Sequence, residues 1–147
     1  MSYRSATEAV WAAWLNAVGI EFKYEALQSD TARALRYQPD FWLGEALAWL
    51  EIKAVGHKPT EGEERVAVEL ARADNAPVYI ACGWPQATDL VLYQFCPSGA
   101  RNEWQGWQAI SQLSLLLDKH PTLLEVVSAV VMGRKREFVA RWEVGRG

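Results

Sequence analysis

A chain of 147 residues, half of them hydrophobic and 22% charged, is long enough to bury a core as one domain, and this composition excludes a disordered chain. The formal net charge of −3 weighs against the broadly basic surface of a non-specific nucleic-acid binder. Two cysteines, Cys82 and Cys96, make neither a disulfide framework nor a four-cysteine zinc site. The eight tryptophans point to core packing or an interface.

No basic segment followed by a long apolar run opens the chain, so no signal peptide is expected. The most apolar stretch, Thr122 to Met132, contains Glu125 and is too short to span a bilayer. A soluble intracellular protein with no membrane partner is expected.

Ser5-Ala6-Thr7-Glu8 fits a capping box, with Ser5 as N-cap and Glu8 three residues on. Val10, Trp11, Trp14, Leu15 and Val18 then recur at helical spacing, and Gly19 is placed to end the helix. Ile20 to Tyr24 alternates apolar and polar, as a half-buried strand does. Residues 25–35 have no clear period and read as a loop or irregular turn. Tyr37 to Leu43 and Ala48 to Lys53 read as two strands joined across Gly44-Glu45-Ala46-Leu47.

After the break at Gly56-His57-Lys58-Pro59, a second capping box, Thr60 to Glu63, starts a helix reaching about Asp74. Val78 to Cys82 is a continuous apolar run, the signature of a strand covered on both faces. Leu90 to Phe95 is a further strand, and the Trp-rich stretch Glu103 to Gln108 is a strand or an extended loop. Ile110 to Leu117 is helical. A third capping box, Thr122 to Glu125, opens a helix that runs to Phe138 despite Gly133. This order predicts an α/β fold, a mixed sheet with helices packed on it, in one domain without repeats or linkers.

The hairpin of residues 37–53 carries charges that apolar strands rarely accommodate, because an unpaired buried charge costs several kcal/mol or more. Residues two apart in a strand share a face. Asp40 therefore shares a face with Trp42, and Glu51 with Trp49 and Lys53. A four-residue connection sets Leu43 opposite Ala48, Trp42 opposite Trp49 and Asp40 opposite Glu51, with Cβ atoms roughly 5 Å apart. Two carboxylates so placed need a cation between them, and Mg²⁺ accepts a few carboxylate oxygens with waters. Lys53, one pleat along, can orient or deprotonate a metal-bound water or stabilise charge on a phosphate. The plainer reading is an exposed edge hairpin with Lys53 as a salt-bridge partner.

Pro39-Asp40 followed after a short hairpin by Glu51-Ile52-Lys53 resembles the PD-(D/E)XK nuclease pattern, and "PDFWL…WLEIK" resembles small phage and bacterial proteins of that superfamily. The likeness covers residues 4–96. It implies a restriction-endonuclease-like αβββαβ core, with residues 97–147 as a helical extension of unassigned role. It implies that Asp40, Glu51 and the backbone carbonyl of Ile52 bind Mg²⁺ or Mn²⁺. It also implies that Lys53 assists the attacking water and that Glu8, on the first helix, joins the site. The capping box explains Glu8 equally well.

The activity so implied is metal-dependent hydrolysis of phosphodiester bonds in nucleic acid, DNA before RNA, in the cytoplasm of a bacterial or phage-infected cell. Arg36, Tyr37, His57 and Lys58 flank the hairpin and are candidates to contact nucleic acid. Arg134-Lys135-Arg136 with Arg141, and Trp104 with Trp107, are weaker candidates, because helix-end cations and sheet packing account for them. Two rival readings keep the same fold. One is a non-catalytic protein that binds a protein partner, for example a phage factor acting on a host protein; the other is a nuclease subunit that depends on a DNA-binding partner or a second copy.

Overall fold

The computed structural model describes residues 3–26, 30–134 and 137. In chain order the elements are α1 (Ala6–Ala17), β1 (Lys23–Tyr24), α2 (Asp30–Leu35), β2 (Phe41–Leu43), β3 (Ala48–Lys53), α3 (Glu61–Asp74), β4 (Val78–Cys82), β5 (Val91–Phe95), β6 (Arg101–Gln105), α4 (Trp107–Leu117) and α5 (Pro121–Gly133). The six strands form one sheet in the order β1-β2-β3-β4-β5-β6. Every neighbouring pair is antiparallel except β3 with β4, which α3 joins as a parallel crossover.

Strand alternation divides the core between the two faces of this sheet. Phe41, Leu43, Leu50, Ile52, Tyr79, Ala81 and Leu92 pack with Trp11, Trp14 and Leu15 of α1, with Leu113 and Leu117 of α4, and with Leu124 and Val131 of α5. Trp49, Val78, Ile80, Tyr93 and Phe95 face Ala67, Leu70 and Ala71 of α3. All five residues of β4 are buried, as its unbroken apolar run requires. The two α1 tryptophans are fully buried and hydrogen-bonded: Trp11 Nε1 donates to the Gly83 carbonyl at 2.9 Å, and Trp14 Nε1 to Ser128 Oγ at 2.8 Å. They tie α1 to the loop after β4 and to α5. Among the described residues, no helix is long and apolar enough to cross a membrane.

Several elements differ from their sequence-based expectation. The first strand keeps only Lys23 and Tyr24, since only these pair with β2. A short helix, α2, occupies the end of the stretch expected to be a loop. The second strand begins at Phe41 rather than Tyr37. The Trp-rich segment is a strand from Arg101 to Gln105, and α4 begins at Trp107 rather than Ile110. The third capping box does not form. His120 is the N-cap, its side chain accepting the Thr122 N–H, and Pro121 occupies the first turn, where a missing N–H costs nothing. That helix stops at Gly133. Its expected end at Phe138, and Lys135, Arg136 and Arg141 of the basic cluster, lie outside the described residues. The region after residue 96, expected to be a helical extension, contributes β6 to the sheet, and α4 and α5 to the α1-side core.

Candidate functional site

The hairpin register is the expected one, with Phe41 opposite Leu50, Trp42 opposite Trp49 and Leu43 opposite Ala48. Asp40 sits at a bend just before β2, where continued register would set it opposite Glu51. In β3 the Trp49 N–H bonds to the Pro77 carbonyl and the Lys53 carbonyl accepts from Gly83, both at 3.0 Å. Odd residues of β3 thus turn their backbone polar groups to β4, and even ones to β2. After Phe41 and Leu50, the next ladder pair towards the chain end of β3 would be Pro39 with Ile52. Proline has no N–H to give. The Ile52 carbonyl therefore receives no donor from residue 39, and the Ile52 N–H bonds instead to Asp40 Oδ2 at 2.6 Å.

Asp40 is buried at 1% exposure, and its own carbonyl accepts from the Glu25 N–H at 2.7 Å. Its second carboxylate oxygen meets Arg4 Nη2 at 3.0 Å, while Arg4 Nε pairs with Glu25 Oε1 at 2.6 Å. Arg4 remains largely exposed, so these ion pairs contribute little to stability.

Glu8 is buried and only half of its expected capping box is present. Ser5 Oγ accepts the Glu8 N–H at 3.1 Å, but the Glu8 carboxylate takes a 2.6 Å hydrogen bond from the Tyr24 hydroxyl and a 3.0 Å one from the Ser5 hydroxyl. Burial pushes the Glu8 carboxyl up, Tyr24 opposes this, and the Asp40 charge adds to it. Burial and the bond to Glu8 likewise raise the Tyr24 phenol.

Glu51 is buried on β3. Burial, the charge of Asp40 and a hydrogen bond to the Asp40 carboxylate push its carboxyl up to about 9, against the pull of Lys53 and Arg4. Asp40 is thus within reach of both Glu8 and Glu51. Even so, among the described residues no three His, Cys, Asp or Glu side chains are gathered to hold an ion. The Asp40 carboxylate is bonded to the Ile52 N–H and Arg4, while Glu8 is turned to Ser5 and Tyr24. The donor set facing the interrupted ladder is two carboxylates, Asp40 and Glu51, with the Ile52 carbonyl. That set fits a hard cation that keeps several waters, such as Mg²⁺.

Lys53 Nζ lies 3.4 Å from Glu63 Oε2, and His57 Nε2 lies 3.0 Å from Glu63 Oε1. Tyr37 is partly buried against the α3-side core, and burial followed by the charges of Glu51, Asp40 and Glu63 holds its phenol well above the ordinary range. Arg36 and Lys58 are exposed, and their side chains make no hydrogen bond or ion pair with the site among the described residues. Trp104 packs against the α1-side core, whereas Trp107 is 75% exposed. Cys82 is buried, which pushes its thiol up to about 12, and both cysteines are free.

Two participants escape a reading of the sequence. Arg4 and Tyr24 reach the carboxylates only through contacts made by folding. Glu63 was legible as a helix cap, and its contacts with Lys53 and His57 come with the fold. No protein-family model matches the chain, and comparisons with curated proteins and with solved structures find no match.

Proposed function

We propose that the chain is a Mg²⁺- or Mn²⁺-dependent nuclease of the PD-(D/E)XK kind, hydrolysing phosphodiester bonds in DNA. The observation that carries this reading is the interrupted β2–β3 ladder. Pro39 ends it beside Asp40, whose carboxylate takes the Ile52 N–H; continued register sets Asp40 opposite Glu51, and Lys53 shares the strand face of Glu51. The order α1, β1, β2, β3, α3, β4 agrees with the αβββαβ core that the sequence resemblance implies, with α2 inserted between β1 and β2.

In this reading Asp40, Glu51 and the Ile52 carbonyl hold the ion, and Glu8 supports it from α1. A bound ion would supply a water of lowered pKa and neutralise phosphate charge. The protein's own groups do the rest. Lys53 presents a cation to the negative charge that develops on the phosphoryl oxygens. Burial of Asp40 and Glu51 strengthens every charge interaction at the site. This reading assigns the Tyr37 hydroxyl and His57 to the phosphate oxygens.

Cleavage of single- and double-stranded DNA and RNA with Mg²⁺ or Mn²⁺ tests the proposal, with Lys53→Ala as the control. Activity in the wild type that Lys53→Ala abolishes supports it. A wild type that cuts none of the four substrates overturns it.

One observation favours the second reading, a non-catalytic binding protein on the same fold. Arg4 already supplies a cation to Asp40. Calorimetry with Mn²⁺ separates the two, because a protein that uses Arg4 as its permanent counter-ion binds no metal.

A further inference from the structure

Glu63 carries more bonds than a helix cap needs. At the third position of α3 it completes a capping box, its Oε1 accepting the Thr60 N–H at 3.0 Å while its own N–H bonds to Thr60 Oγ1 at 3.1 Å. The same Oε1 meets His57 Nε2, and the free oxygen, Oε2, is turned to Lys53. Burial pushes this carboxyl up, but Thr60, His57 and Lys53 outweigh it and hold it below the ordinary carboxylate range.

A lysine ammonium ends a flexible four-carbon stem and has no fixed position of its own. Lys53 is one-third exposed, so packing alone does not hold it. The cap, by contrast, is fixed by backbone hydrogen bonds at a helix terminus. We infer that Glu63 is the positioning residue of this site: α3 uses its capping carboxylate to fix the Lys53 ammonium, and His57 completes the clamp. The chemistry that Lys53 performs rests on the nuclease reading; the clamp itself does not.

The test uses Glu63→Gln in the full chain. Glutamine serves a capping box as well as glutamate does, so the thermal midpoint and the affinity for Mn²⁺ stay near the wild-type values. The charge that holds Lys53 is gone. NMR relaxation of the Lys53 ε-methylene is expected to show a restricted side chain in the wild type and a freely rotating one in the variant. Cleavage is expected to fall about 100-fold in kcat with KM unchanged, and Glu63→Gln/Lys53→Ala to cut no more slowly than Lys53→Ala alone. Glu63→Asp, one methylene shorter, keeps the charge but withdraws it and is expected to free Lys53 in the same way. A Lys53 side chain as mobile in the wild type as in both variants overturns the inference, as does wild-type cleavage by Glu63→Gln. If Lys53 is freed by the substitution while the wild type cleaves nothing, the clamp stands and the nuclease reading falls.

Discussion

Asp40 Oδ2 accepts the Ile52 N–H at 2.6 Å, in the place where the antiparallel ladder would have offered the Pro39 carbonyl. One side chain thus replaces a strand partner and remains a carboxylate at the site. This double duty decides which substitution tests function cleanly. Asp40→Ala orphans a buried N–H and is expected to cost about 1–3 kcal/mol of stability. Asp40→Asn keeps an acceptor for Ile52 and removes the charge. Thermal unfolding is expected to place the Asn variant near wild type and the Ala variant several degrees lower, while divalent-dependent cleavage and Mn²⁺ binding heat are lost in both. An Asn variant as unstable as Ala contradicts the backbone role.

The raised carboxyls make a prediction about pH. Glu51 titrates at about 9 in the fold against an ordinary 4.5, so between those values the folded chain binds more protons than the unfolded one. Its contribution to stability is fully present below about 4.5 and is lost as pH rises through about 9. Glu8 is shifted in the same direction. The thermal midpoint of the metal-free wild type, measured relative to Glu51→Gln, is therefore expected to fall steadily from pH 5 to 9. Mn²⁺ binding at pH 7 is expected to release about one proton per ion, read from calorimetric heats in buffers of different ionisation enthalpy. A midpoint difference that is flat with pH would mean that Glu51 is ionised in the metal-free fold.

If the site holds a divalent ion as proposed, Arg4 would compete with it for the Asp40 oxygen that Arg4 now holds. A largely exposed ion pair is worth about 1 kcal/mol or less, so Arg4→Ala is expected to lower the thermal midpoint only slightly. Relief of the competition is expected to tighten Mn²⁺ binding by up to about fivefold. Unchanged affinity would place the ion away from the oxygen that Arg4 holds.

The residues that were legible in the sequence acted through local rules. Thr60 with Glu63, the apolar run of β4 and the Trp42–Trp49 register follow from spacing along one or two adjacent strands or one helix turn. What was hidden depends on distance in the chain. Residues 30–35 have too weak a period to announce a helix, and α2 gains its support by packing against α3. Thr122 to Glu125 matched a cap pattern, but Pro121 and His120 made a better helix start two residues earlier. Arg4, 36 residues from Asp40, and Tyr24, 16 from Glu8, meet the site only when β1 docks beside β2. Pro39 could be read as part of a motif, but not as the residue that frees Ile52, until the parity of β3 was fixed by its bonds to β4.

Gly83 links that parity to α1. Its N–H donates to the Lys53 carbonyl, its own carbonyl accepts from Trp11 Nε1, and its φ is +125°, which side-chain-bearing residues rarely adopt. A Cβ there would stand 3.5 Å from Leu90 Cα, ordinary contact, so the cost of alanine is conformational rather than steric. Gly83→Ala is expected to destabilise the fold by about 1–3 kcal/mol. Chemical denaturation gives this number. Because Gly83 holds the end of β3 at Lys53, the variant is also expected to lose cleavage activity more than its stability loss explains at a temperature where it is fully folded. An alanine variant as stable as wild type would mean that the chain after β4 adopts an ordinary φ at this position, and that Trp11 does not depend on the conformation there.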